Sequence, residues 1–450
     1  MERPGGDTRE WGLPVTQSIF LDFQLPNAPT WFYFSLFLAF AIFFRFQRPW
    51  TLRNWDILAL FLLTPGLLLL QEAKALGNTT DSSSAMFVAY LWLLGGSAYW
   101  LIRVLADLVL ERRPLMHVNL TAAGLVCLGL GLAVGLSAVA LRRTANEQAE
   151  LGRHPPPLQQ VHEQATAVVA RTTAEVTSTR EVHYLCERLL ALCCHAAILV
   201  GLFYVGWRHY QETLTGVAMA TLYLLLPYTA YHIDQLHHVW PSAFVVWALA
   251  WYRRPVWAGF LVGVASGTSL FPLFLLPAWW GFYAGRGAGR FLIAAGGALL
   301  FTITLTASIY WLDGLYVTRL IAAMHLWEWQ LWHLPAREGI WTAVHWAYRL
   351  PVFVLFIAFV IASAFWPRPR NLAHLIAFNA AIILGVQFWY ADCGGIYVLW
   401  YLPLLILLVC RPNLTLAEPP ASMGNLMTRL TLWGNRRPAA VQGTAKELAV

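Results

Sequence analysis

Five polar side chains crowd into Tyr231–Trp240, which reads YHIDQLHHVW: His232, Asp234, Gln235, His237 and His238. An apolar span follows and runs into Arg253 and Arg254. A carboxylate at such a span end can take a proton from an attacking hydroxyl. Amide and imidazole groups beside it can hold a polar headgroup or water. Asp234 is therefore the first candidate for a catalytic base, and Gln235, His237 and His238 are candidates for substrate binding. Imidazole and carboxylate also suit a divalent metal ion, but no recognised zinc spacing occurs, so no metal ligands are assigned. A charge drawn deep into a bilayer costs ~2.5–3.5 kcal/mol on insertion scales, so a retained one commonly has a role. The bland alternative is a hydrated helix end.

The elements that must position this cluster are membrane spans. The chain of 450 residues is 58% hydrophobic and 12% charged, with a mean hydropathy of +0.55. A soluble fold would need far more charge on its surface. Apolar runs recur at the length that crosses a bilayer as helix, about 17–25 residues, and alternating short strands are lacking, which argues against a β-barrel. The expected fold is an all-α polytopic bundle of about 11–13 spans with one broken hairpin and outer interfacial helices. The net charge of +7 fits a positive-inside excess, and no basic patch points to nucleic acid. The 23 Trp residues suit interfacial belts. The six cysteines form no disulfide framework, and Cys193-Cys194-His195 is no haem-attachment motif. His195 and His374 lie within spans, where bonding to helix neighbours is a commoner role than haem ligation. No nucleotide motif occurs.

Residues 1–29 read as an outer N-terminal segment without a cleavable signal peptide, so the first span is expected to direct insertion. Residues 30–141 read as a four-span bundle, with spans near Thr30–Phe46, Asp56–Gln71, Ala85–Leu105 and Val118–Leu141. Residues 142–183 form a polar, partly helical insert, placed outside by parity although it carries five arginines. Residues 184–411 hold the remaining spans. These include a hairpin over Val256–Ala284, broken at Ser266–Pro272, and spans near Leu372–Trp389 and Gly395–Cys410. Residues 412–450 read as a polar cytoplasmic tail. Arg253, Arg254, Arg286, Arg290, Arg368, Arg370 and Arg411 all fall on one side, which marks it as cytoplasmic.

Between the spans, Leu312–Leu350 interleaves tryptophans with Arg319, His325, Glu328, His333, Arg337 and Glu338. This pattern predicts interfacial helices at the headgroup level. It either anchors the protein or walls a cleft for a lipid headgroup. In the second case Arg319, Arg337 and Arg349 are candidates for a lipid phosphate, since guanidinium matches phosphate oxygens bidentately. His325 and Glu328 are candidates for the same headgroup.

Three features together resemble the GT-C glycosyltransferases, most closely the polyprenyl-phosphate-mannose-dependent mannosyltransferases. They are the cluster at Asp234-Gln235, the small-residue run Gly259–Gly267 with its break before Pro272–Pro277, and the late YVLWYLPLL span at Tyr397–Leu405, with Trp400 and Pro403 at the pattern positions. The resemblance covers roughly Leu214–Pro412. It implies transfer of a sugar, mannose in the named group, from a polyprenyl-phosphate donor to a lipid or envelope acceptor on the outer face. Two departures matter. Ser269 stands where the family has a lysine in the break. The family's essential acid lies in a first outer loop, and here only Asp22 or Asp81 could substitute by analogy.

Such transfer needs a carboxylate to take the acceptor's proton and donors to stabilise the departing lipid phosphate. Besides Asp234, the acids on the outer side are Asp22, Asp81, Asp313, Glu328, Glu338 and Asp392. Of these, Asp22 is the second candidate base. Two other readings stay open. One is a non-catalytic GT-C-like subunit or scaffold that docks a membrane-protein partner through residues 142–183. The other is a broken-helix transporter, built around the Ser266–Pro272 interruption. The expected partners are the polyprenyl-phosphate sugar, its lipid-linked acceptor and membrane lipids. The expected location is a bacterial inner membrane.

Overall fold

The computed structural model describes residues 26–76, 80–109, 118–143, 179–269, 271–310, 339–367, 370–391, 393–414 and 417–420. These residues form an all-α bundle. In chain order the helices are α1 (Ala28–Phe43), α2 (Leu52–Ala59), α3 (Thr64–Ala75), α4 (Thr80–Ala106), α5 (Ala122–Arg142), α6 (Thr179–Arg208), α7 (Thr213–Leu225) and α8 (Pro227–Tyr231). Then follow α9 (Leu236–Ala250), α10 (Pro255–Thr268), α11 (Leu276–Phe282), α12 (Ala288–Tyr310), α13 (Arg349–Phe365), α14 (Leu372–Trp389) and α15 (Val398–Cys410). Seven helical stretches among the described residues are long and apolar enough to cross a membrane, and five further helices are apolar but shorter. The chain is a multi-pass integral membrane protein.

Local chemistry sets the helix starts. Asn27, Thr51 and Thr121 each accept a hydrogen bond from a first-turn N–H, which satisfies a donor the helix cannot. Asn371 and His374 cap α14 reciprocally. That helix is buried along nearly its whole length and forms the centre of the bundle. The α10–α12 pair lies close because Gly259, Gly263 and Gly267 face it at four-residue spacing. A Cβ at Gly259 or Gly263 would collide with the backbone of Phe291 or Ala295, so small residues let the two helices touch.

The broken hairpin appears where the sequence places it: α10 ends at Thr268, a 3₁₀ turn spans Phe271–Leu275, and α11 completes the return. Two further spans are broken as well. The second span divides into α2 and α3 around Leu60–Leu63, and Pro65 sits in the first turn of α3 instead of kinking a helix. The stretch Leu214–His232 divides into α7 and α8 at Leu226-Pro227. At the first break, side chains from other helices bond the exposed backbone groups. Trp100 Nε1 donates to Ala59 O at 3.1 Å and Trp92 Nε1 to Leu62 O at 2.8 Å. The Tyr228 hydroxyl donates to Leu60 O at 2.7 Å and accepts from Leu63 N–H at 3.2 Å.

The connections alternate between two ends. One end gathers Arg45, Arg53, Arg103, Arg208, Arg253, Arg254, Arg286, Arg290, Arg370 and Arg411, the side that the arginine pattern marks as cytoplasmic. A buried ion network ties it together. Arg103 grips Asp56 through two bonds of 2.7 and 2.8 Å and reaches Asp107 at 3.2 Å. Arg411, just after α15, binds the other oxygen of Asp107 at 2.7 Å. Charge balances charge in this network, which is what allows four ionised groups to be buried.

Candidate functional site

The Tyr231–Trp240 cluster lies at the opposite end, in the turn between α8 and α9. Asp234 is fully buried and pairs with Arg143, the residue that closes α5: Nη1 to Oδ1 is 2.6 Å. The same guanidinium donates to Tyr231 O at 3.2 Å and Ala230 O at 3.3 Å, the last carbonyls of α8. Those carbonyls lack helical partners and carry the negative end of the helix dipole, so a cation suits them. Burial pushes the Asp234 carboxyl up from its ordinary value, while Arg143 pulls it back. The side chain is neither hydrated, as a plain helix end would be, nor open to a substrate.

The imidazoles stack on one another. His232 and His238 lie face to face with centroids 3.9 Å apart, and His237 follows 4.2 Å from His238. His232 Nδ1 meets Gln235 Oε1 at 2.7 Å, so Gln235 is buried and occupied holding a histidine. Stacked rings turn their nitrogens outward around the rim instead of toward one point. Accordingly, no three His, Cys, Asp or Glu side chains among the described residues converge on a common metal position.

An aromatic column continues the stack. His238 leans on Tyr397, Tyr397 stacks on Trp400 at 4.1 Å, and Trp400 stacks on Phe271 at 4.1 Å. Trp400 Nε1 donates to His237 O at 2.9 Å. The column joins the three regions of the sequence pattern: the polar cluster, the hairpin break and the late aromatic span. Ser269 caps the C-terminus of α10, half-buried, beside Thr268, whose hydroxyl accepts from Trp240 Nε1 at 2.8 Å.

Beside the Arg143–Asp234 pair, α1, α3 and α8 enclose a cleft of about 190 Å³. Pro26, Ala28, Trp31, Leu67, Leu68, Pro227 and Arg143 are among its walls. Arg143 is its one charged wall residue among the described residues, and its side chain is 20% exposed.

No family model, curated protein or solved structure matches this chain.

The structure thus brings Asp234, Gln235, His237 and His238 together and sets Ser269 on the helix next to them. Asp22, Arg319, His325, Glu328 and Arg337 lie outside the described residues, as do Asp313, Glu338, Asp392 and most of the 142–183 insert. Arg349 is corrected as a headgroup ligand. It is buried and donates twice to Trp389 O, at 3.2 and 3.0 Å, so it caps α14. His195 and His374 are held by protein partners, the Tyr223 hydroxyl at 2.8 Å and Leu108 O at 3.2 Å. Arg143 was the residue that sequence reasoning passed over. Its signal was a cation at the end of an apolar span on the side where the positive-inside rule disfavours one.

Proposed function

We propose that the protein is a membrane glycosyltransferase of the GT-C type, transferring a sugar from a polyprenyl-phosphate donor to a lipid-linked acceptor on the face opposite its arginine-rich connections. The observation that carries this reading is the aromatic column. It unites the Asp234 cluster, the Ser269 break and the Trp400 span, the three features on which the resemblance rests. In this reading Asp234 is a positioning residue: its carboxylate is occupied by Arg143 and buried, so it orients that cation. The proton of the acceptor hydroxyl then goes to Asp22, four positions before Pro26, which lines the cleft. The half-buried His237 is the member of the cluster best placed to meet a substrate.

The transporter reading loses support at the first-half break. Interrupted helices form ion sites through unwound backbone groups, and here those groups are taken by Trp92, Trp100 and Tyr228. A non-catalytic subunit is favoured by a different observation, the complete burial of Asp234. Kinetics of the variants separate the two. Asp22→Asn is expected to lower kcat about 10²–10⁴-fold, the range of general-base catalysis, and Asp234→Asn to act mainly on KM. Equal, small effects of both substitutions on a measured transferase rate would overturn the assignment of roles.

A further inference from the structure

We propose that the α1–α3–α8 cleft is a binding site for a phosphate-bearing lipid, with the phosphate on Arg143 and the hydrocarbon along Leu67 and Leu68. This inference does not rest on sugar transfer and would hold equally in a protein without enzymatic activity.

The chemistry of the walls selects the ligand. Arg143 is fixed before any ligand arrives, because Asp234 and the carbonyls of Ala230 and Tyr231 take two of its nitrogens. Its Nε–H has no partner among the described residues. A held guanidinium offers a phosphate oxygen a charge-assisted bond with little further ordering. Trp31 supplies a second donor. It is buried in the cleft wall, and its Nε1–H has no acceptor among the described residues. A buried indole N–H without a partner is costly unless a ligand accepts from it. Both donors call for an acceptor-only group, as a phosphate diester or monoester is.

The remaining walls are mixed: Thr64, Gln71 and Tyr231 add uncharged polar groups, and the rest is apolar and suits hydrocarbon. Pro26, Ala28, Leu67, Leu68 and Pro227 offer no charge. Beneath the cleft, Trp31 packs with Leu136, Ala140, Leu224, Ala230 and Ile233 in a small apolar core of its own. On the same helix, the exposed Phe34 ring lies beside Trp31, with centroids 5.8 Å apart. A free anion gains nothing from the apolar walls, and a neutral lipid gains no charge pairing from Arg143.

The test uses the full-length protein in a neutral detergent, with native mass spectrometry and thermal melting as readouts. The probes are phosphatidic acid, the diacylglycerol with the same chains, and inorganic phosphate. Phosphatidic acid is expected to bind and raise the melting temperature, and the other two are expected to bind at least about tenfold more weakly. Two variants locate the site. Leu68→Trp fills the cleft and leaves the ion pair intact. The double variant R143Q/D234N removes both charges together, so neither is left buried alone. Each is expected to lower phosphatidic acid affinity at least about tenfold. Wild-type affinity in either folded variant would overturn the proposal. Equal binding of diacylglycerol would overturn the role of Arg143, and equal binding of inorganic phosphate would make the site one for a free anion.

Discussion

Nη1 of Arg143 lies 2.6 Å from Oδ1 of Asp234, across 91 positions of sequence. The pair joins the end of α5 to the turn between α8 and α9. It therefore holds the first-half helices against the turn that carries the polar cluster.

The two partners are unequal in burial, and that predicts an order of damage. Asp234 is fully buried, whereas Arg143 is 20% exposed. Arg143→Gln removes the cation paired with a buried carboxylate and is expected to cost about 3 kcal/mol or more. Asp234→Asn leaves a cation that reaches solvent and carbonyls, and should cost less. The double variant should be more stable than Arg143→Gln alone, as a double-mutant cycle in thermal melts will show.

At the arginine-rich end, Asp107 accepts from both Arg103 and Arg411. Asp107→Asn removes the charge that two buried guanidinium groups share, with an expected cost of about 3–5 kcal/mol. Because Arg411 follows α15 and Arg103 belongs to α4, proteolysis in the variant should begin near the exit of α15.

Tyr228 serves both sides of the α2–α3 break through one hydroxyl. Tyr228→Phe leaves Leu60 O and Leu63 N–H without that partner in the bundle interior. The expected loss is about 1–3 kcal/mol, with faster hydrogen exchange at Leu63 as the local signature.

What the sequence reveals here depends on the range of the forces involved. Leu372–Trp389 is legible to the residue because one apolar run lies between an Asn cap and a stop. The α10–α11 break is legible because small residues and Pro272 announce it locally. The α2–α3 break is hidden, since the groups that make it affordable, Trp92, Trp100 and Tyr228, come from other helices. The polar cluster at Asp234 is visible in sequence, but its state is not. Arg143, which decides that state, lies in a different half of the chain. The interleaved Arg319–Arg337 stretch and Asp22 lie outside the described residues, so their expected roles stand on pattern and resemblance.

The most direct test of the central claim is sugar transfer by purified full-length protein in vesicles, given a panel of polyprenyl-phosphate sugars and a lipid-linked acceptor. The account predicts transfer from at least one donor, with a marked loss in Asp22→Asn. No transfer from any donor, by protein whose melting curve is intact, would contradict it and turn the reading toward a non-catalytic subunit.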